Sequence, residues 1–394
     1  MRLRGERVAR IVTLDDSTDG YPWFASPSLV CLDGDRIVFG RDAAMHKRGM
    51  VFPSLKVRLL QPRIAEDTAD DNFPVGIGPD LLVACYLSWA LRRIKQDTAD
   101  LESSSMFLNV AAPMDHIEDE TLKTRYLRIV QAAWESVFGE EQRAVEQGAK
   151  IEDLKNWFMP WLKDDKAVPG IEHRRYEVLP ETVAPIVSLS RNPEMAPGMY
   201  LIVDMGAGTT ELSVNHVGER GADQRIVCYA DESNYLGAAD FEYIDVNIDS
   251  NPELATRRDA MLTRFRKAYK RTWYKGYEKD AQNRAARQRW SDLTVLLAGG
   301  GGQRSEISQT ITESRPMQQF FDDDESSYEV TWHHPTLVDL DDAPADADPD
   351  DYALLAVAHG LSVPRQQWPD VFEPADVERL KGEKKRSTPV EHWW

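Results

Sequence analysis

The chain has 394 residues, with 47 Lys or Arg against 66 Asp or Glu, a formal net charge of −19 at pH 7. Hydrophobic residues make up 42%, charged residues 29%, and 36 residues are aromatic, which excludes an unfolded chain. The length allows two to four folding units. The longest nearly apolar stretch, Leu81 to Leu91, is interrupted by Ser88 and falls short of the roughly 18–20 residues of a spanning helix, so no membrane is expected as a partner.

The start, MRLRGERVARIVTLDD, is basic but no apolar segment follows, so it does not read as a secretory leader. ARIVTL and SLVCL read as strands, with DSTDG and LDGDR as turns between alternating runs. Leu81 to Ile94 (LLVACYLSWALRRI) predicts a buried helix. MFLNVAA, Met106 to Ala112, predicts an apolar strand ending at Pro113, and Glu120 to Phe138 a long helix. Strand followed by helix is the pattern of an α/β layer.

From Gly139 to Arg175 the chain is charged, with Ile151, Leu154, Trp157, Phe158 and Trp161 at helical spacing and Pro160 expected to end or kink the helix. The stripe suits core packing or, alternatively, partner docking. Only three cysteines occur, Cys31, Cys85 and Cys228, too few and too far apart for a disulfide framework or zinc site. A reducing cytoplasm is the expectation.

MYLIVD, Met199 to Asp204, is too short and apolar for a helix, and ELSVNHV, Glu211 to Val217, alternates. Together they predict a hairpin around GAGTT. Arg257 to Trp290 is a basic helix with Leu262, Phe265, Tyr269 and Trp273 as its apolar face. LTVLLA, Leu293 to Ala298, is a buried strand running into four glycines, Gly299 to Gly302, with a helix from about Ser305.

Between Phe321 and Asp351 there are twelve Asp or Glu and no Lys or Arg, leaving the rest of the chain at −7. This stretch reads as a solvated loop, or else as an acidic docking tail. Nucleic acid is a poor partner for so acidic a chain, since phosphate binding needs a basic footprint.

The chemistry concentrates at Asp204-Met205-Gly206-Ala207-Gly208-Thr209-Thr210-Glu211, between two strands. Glycines let the backbone turn tightly and bring N–H groups against an anion. Thr209 can donate to a phosphate oxygen, and a strand-end acid can hold a hydrated magnesium ion. A plain hairpin with a glycine turn is the alternative. The second glycine cluster, after LTVLLA, adds another strand–turn–helix edge suited to an anion or a base. No GxxxxGK[ST] and no GxGxxG opening a helix occur, which removes the P-loop and dinucleotide-binding readings.

DMGAGTTELSV resembles the second phosphate-binding hairpin of the ATPase domain of the 70-kilodalton heat-shock chaperones, in the actin and sugar-kinase superfamily. VLLAGGGGQRSEI resembles that family's adenosine motif, and SPSLV, IVFGRDA and FPSLKVRLL its first-lobe pattern ending in a catalytic lysine, here Lys56. NVAAPMD resembles the strand with the switch proline, LPETVAP the segment linking the lobes, NYLGAADFE and YKRTW the second-lobe nucleotide segments, and DYALLAVAHGLS the closing helix. These motifs occur in family order from about Ile11 to Leu361.

The resemblance implies a two-lobed α/β, actin-like ATPase fold with a nucleotide cleft between the lobes. Lobe I would span residues 1–195 with a helical insertion about 139–175, lobe II 196–345, a closing helix 346–372 would return to lobe I, and 373–394 would be a tail. ATP or ADP with Mg2+ would be the ligand. Gly206, Ala207, Gly208, Thr209 and Thr210 would cradle the phosphates. Asp204 would face the magnesium waters with Glu211 behind it, and Lys56 would reach the γ-phosphate. Gly237, Lys270, Arg271, Gly299, Gly300, Gly301 and Arg304 would line the nucleotide site, although Lys270 and Arg271 also suit a solvated helix face.

The chain departs from the family in three ways. The family's first hairpin, of the form DLGTT, is not found, so either the start lies upstream of Met1 or another polypeptide supplies the strand. The linking motif reads Pro180-Glu181 rather than Glu-Pro, which puts in doubt the reach of Glu181 to magnesium. The residues after Leu361 leave no room for a peptide-binding domain and lid. The expected function is ATP hydrolysis driving lobe opening and closing for an unknown protein partner. A bacterial actin-like filament protein and a nucleotide-binding scaffold without turnover are the alternatives; a sugar kinase lacks a convincing base.

Overall fold

A computed structural model of the chain describes residues 9–10, 12, 14, 26–46, 48–52, 55–60, 76–98, 106–113, 117–143, 145–163, 168–170, 174–193, 195–219, 221, 224–280, 290, 293–302, 304–314, 316, 340–341 and 349–377. The Asp15–Thr18 turn, most of the acidic stretch and the end of the tail lie outside these residues.

In chain order the strands are β1 (Ala9–Arg10), β2 (Val30–Asp33), β3 (Arg36–Phe39), β4 (Met50–Phe52), β5 (Leu108–Ala112), β6 (Ala149–Lys150) and β7 (Tyr176–Pro180). They continue with β8 (Gly198–Met205), β9 (Thr210–Val217), β10 (Arg225–Asn234), β11 (Thr294–Ala298), β12 (Leu340–Asp341) and β13 (Asp370–Phe372). The helices are α1 (Gly40–Met45), α2 (Leu55–Leu60), α3 (Pro79–Asp97), α4 (Glu120–Phe138), α5 (Ile151–Leu162) and α6 (Ala184–Ser190). After them come α7 (Ala238–Asn247), α8 (Glu253–Asp280), α9 (Ser305–Ser314) and α10 (Pro349–Ser362). The chain is a mixed α/β protein that divides into two units, Met1–Leu179 with Asp339–Ala343, and Pro180–Val338 with Pro344–Trp394.

In the first unit, β4, β2, β3 and β6 form an antiparallel sheet in that order, β5 pairs with β7, and β1 runs parallel to β12. Helix α4 starts where Asp119 accepts hydrogen bonds from the Thr121 and Leu122 amides at 2.8 and 3.0 Å, satisfying two N-terminal donors. Arg125 on α4 ties three helices together. Its guanidinium donates to Asp80 at the start of α3 (Nε–Oδ1 3.0 Å) and to the Leu59 carbonyl on α2 (2.9 Å). The span expected as an insertion is part of the unit's core: Ala149 pairs with Ile37, and Ile151, Leu154, Phe158 and Leu162 pack with Phe39, Leu82 and Trp89. Trp157 and Trp161 are partly buried against the same cluster. Pro160 lies inside α5, which runs on to Leu162.

In the second unit the sheet order is β11-β8-β9-β10-β13, antiparallel in the β8–β9–β10 meander and parallel at both edges. Met199 to Met205 are all buried, and so are Thr210 to Asn215, which explains the unbroken apolar look of MYLIVD: the strand is covered on both faces. The two faces differ. Leu201, Val203, Leu212 and Val214 pack against Phe265, Tyr269 and Trp273 of α8, the apolar face read from the sequence. Residues Asp204, Glu211, Ser213 and Asn215 fall on the opposite face, two apart along each strand. The division at Leu179 leaves α6 in the second unit, where α10 packs on it and on β11. A Cβ at Gly360 on α10 would overlap the Ala184 carbonyl of α6, so that crossing requires glycine. The Ser188 hydroxyl and His359 Nδ1 are hydrogen-bonded across it at 2.8 Å, both buried.

Candidate functional site

The hairpin between β8 and β9 turns in four residues, closed by Gly206 N–H donating to the Thr209 carbonyl at 2.9 Å. Asp204 pairs with Glu211 and Met205 with Thr210 in the antiparallel register, so the two carboxylates stand directly opposite each other on one face. Asp204 is 9% exposed and Glu211 1%. Glu211 accepts a hydrogen bond from the Ser233 hydroxyl, which its register on β10 sets beside it. Like charges directly opposite repel, so this buried pair favours a cation or a proton at its open side.

Two other segments grip the turn. At the start of α7, Ala238 and Ala239 donate their amides to the Gly206 and Ala207 carbonyls, each at 2.9 Å. The Thr210 hydroxyl donates to the Leu236 carbonyl at 2.6 Å, fastening the other side. Gly237 sits against the Ala207–Gly208 peptide so closely that a Cβ would overlap the Ala207 carbonyl and the Gly208 nitrogen. From β11, Gly301 donates to the Met205 carbonyl at 2.9 Å. Gly299, at φ 74°, packs where a Cβ would collide with the Met205 carbonyl and lie 2.6 Å from Asp204 Oδ1. Gly299 also donates to the Ala353 carbonyl of α10 at 3.1 Å, and Leu354 lies over Gly300.

The turn is thus rigid by construction, yet its tip is open. Ala207 is exposed and Gly208 half-buried, while Thr209 is buried at 5%. Among the described residues, the Ala207 and Gly208 amides donate to no backbone carbonyl. Two successive N–H groups on a fixed glycine turn form a concavity suited to an anion. The carboxylate pair below suits a hydrated divalent cation, which needs only one or two protein carboxylates. Among the described residues no group of three or more His, Cys, Asp or Glu could hold a metal, so a cation here would take its other ligands from water or a bound anion.

The remaining expected residues are dispersed around this centre. Gly206, Ala207, Gly208, Thr209, Thr210, Glu211, Gly237, Gly299 and Gly301 converge on the turn. Arg271, on α8, is bound bidentately by Glu232 of β10, with Nε–Oε2 at 2.6 Å, and that partner raises its pKa. Lys270 beside it is half-buried. Arg304 is held by Asp245 and by Glu306 (3.0 Å), and lies over the Phe241 ring at 5.2 Å. Neither arginine is idle: an incoming base would have to fit beside these ion pairs. Glu181 is buried at 5%, in a segment whose Thr182 carbonyl accepts from the Ser213 hydroxyl at 3.3 Å on the carboxylate face. Lys56 belongs to the other unit, half-buried on α2, whose Leu59 carbonyl Arg125 fixes.

Ser233 and Glu232 were not singled out from the sequence. Alternation along RIVCYADESN is the signal that pairs them with the hairpin and with α8, but it needs the β9–β10 register. The three cysteines are free and buried, and burial raises each thiol's pKa, which makes them inert. No helix of the described residues is long and apolar enough to cross a membrane. No protein-family model matches the chain, and no curated protein matches it significantly.

Proposed function

We propose that the chain is an ATP-binding protein of the heat-shock-70 type within the actin-like superfamily, which hydrolyses ATP with magnesium and opens and closes its two lobes for a protein partner. The observation that supports this reading is the Gly206–Thr209 turn. Its carbonyls and its Thr210 hydroxyl are tied down, while the Ala207 and Gly208 amides are left to an anion above a facing carboxylate pair. A phosphate group fits this donor set, because the amides supply partial positive charge without needing to reorganise.

In this reading Ala207, Gly208 and Thr209 bind phosphate oxygens. Asp204 holds the waters of magnesium, with Glu211 oriented by Ser233 behind it. Magnesium, when bound, offsets the charge of the carboxylate pair and of the phosphates. Lys56 would stabilise the γ-phosphate, and Gly300, Lys270, Arg271 and Arg304 would adjoin the nucleoside. Lysine and both arginines enter through the resemblance. The filament reading and the scaffold without turnover remain the competing functions.

Calorimetric titration of the purified chain with ATP, with and without magnesium, tests the proposal, together with phosphate release. Magnesium-dependent binding and turnover are expected. Binding without turnover would favour the scaffold; ATP-dependent, reversible pelleting would favour the filament. Absence of nucleotide binding would end the proposal.

A further inference from the structure

Seven large apolar side chains are exposed among the described residues, and two of them stand on one helix, α7: Tyr243 (57%) and Val246 (82%). With exposed Ala239 they occupy spacings i, i+4 and i+7, a single stripe along α7. The buried residues of α7, Ala238, Phe241 and Ile244, face the opposite way, so the stripe is surplus to the unit's own core. Two exposed acids, Glu242 and Asp249, flank it, and neither forms an ion pair among the described residues.

The neighbouring helix has the complementary character. Asp240 and Asp245 of α7 pair with Arg257 (3.5 Å) and Arg258 (3.7 Å), joining α7 to the first turns of α8. Beyond them, α8 has no acid from Ala260 to Tyr277 but six cations. Arg264, Lys267 and Lys275 are exposed, at spacings that align with Arg271, and form no ion pair among the described residues. Unpaired cations in a row are unusual on a chain of net charge −19, where the long-range field would favour mixing the signs.

We infer that this α7–α8 surface is the interface of a two-fold symmetric dimer, in which α7 of each copy packs on α8 of the other. A two-fold interface must complement itself. An apolar, acidic stripe adjacent to a cationic one on the same unit meets that condition: rotation brings Tyr243 and Val246 onto the aliphatic stems of the facing lysines and sets Glu242 and Asp249 among their charges. Lysine and arginine stems cover apolar surface while their heads stay solvated. The charged rim makes the association sensitive to salt and sets the pairing; the buried aromatic and valine supply its apolar core. Arg271, in line with this row, is also placed beside the nucleoside in the proposed function, so a nucleotide and the second copy would compete for that part of α8.

Sedimentation velocity of the full-length chain from about 1 to 100 μM reads the association directly. A monomer–dimer equilibrium is expected, weakened on going from about 0.05 to 0.5 M salt. Val246→Asp and Lys267→Glu, both at exposed positions, should each raise the dissociation constant at least about tenfold with unchanged thermal unfolding. Glu242→Lys combined with Lys267→Glu should restore pairing to within about threefold of the parent, since the charges are exchanged rather than lost. A monomer throughout the range, a dimer indifferent to Val246→Asp and Lys267→Glu, or open-ended polymers would each overturn the assignment.

Discussion

Asp204 and Glu211 face each other across the β8–β9 ladder, one residue short of the turn on each strand, and both carboxylates are buried. Close burial of two like charges is costly unless something offsets it. The Ser233 hydroxyl donates to Glu211.

Replacing Asp204 by Asn removes one charge while keeping shape and most hydrogen-bonding capacity. Without ligands, the variant should unfold at a higher temperature than the parent or at the same one. Its magnesium-dependent ATP affinity or turnover should fall on the order of 100-fold, the usual loss for one well-aimed polar group. Thr209→Val should lower the same quantity without the gain in unliganded stability. Equal affinity and turnover in both variants would refute the phosphate assignment.

Gly237 offers a sharper test of the turn's rigidity. An alanine there must displace the Ala207 carbonyl, so Gly237→Ala should destabilise the chain by about 1–3 kcal/mol and weaken anion binding at the adjacent amides. Gly198→Ala is the control, because nothing lies within 4 Å of its Cβ position and β8 begins there. Thermal unfolding of the two variants side by side distinguishes a crowded backbone contact from a general intolerance of substitution.

The Lys56 prediction separates the groups of the nucleotide. If Lys56 acts on the γ-phosphate, Lys56→Ala should lower turnover far more than ADP affinity, since ADP lacks that group. Normal turnover would leave Lys56 as an ordinary half-buried residue of α2.

Local patterns made the hairpin, the Glu120–Phe138 helix and the apolar face of α8 legible in advance, because each is set by period and turn residues within one segment. What joins segments was not legible. The glycines after β11 read as an anion edge, but that Gly299 and Gly301 pack closely against Met205, and Gly299 against Asp204, was not visible. In the Gly139–Arg175 span, Ile151, Leu154 and Phe158 read as a core stripe, but the β6 pairing did not show. That Glu232 reaches Arg271, and Asp245 and Glu306 reach Arg304, was not legible either, since no local pattern sets those pairs. Register and ion-pair partners are tertiary facts, and residue type alone leaves them open.

The last prediction concerns that ion-pair cluster and acid. Burial pushes the Glu306 carboxyl up, but its own backbone N–H and the Arg258 and Arg304 guanidiniums outweigh that effect and lower its pKa to about 2. The Arg258–Glu306 contact is 2.7 Å, and Glu306 is 16% exposed. A carboxyl whose folded pKa lies below its unfolded value of about 4.5 contributes stability that is complete above pH 4.5 and disappears as the pH falls towards 2. The contribution is on the order of 2–3 kcal/mol at neutral pH. Glu306→Gln should therefore destabilise the chain at pH 7 by about that amount, because Arg304 and Arg258 lose a shared partner near the Phe241 ring while both keep Asp245. The difference between variant and parent should shrink steadily below pH 4.5. Urea unfolding at pH 7, 4 and 3 measures it, and a difference independent of pH would mean that packing, not charge, accounts for the role of Glu306.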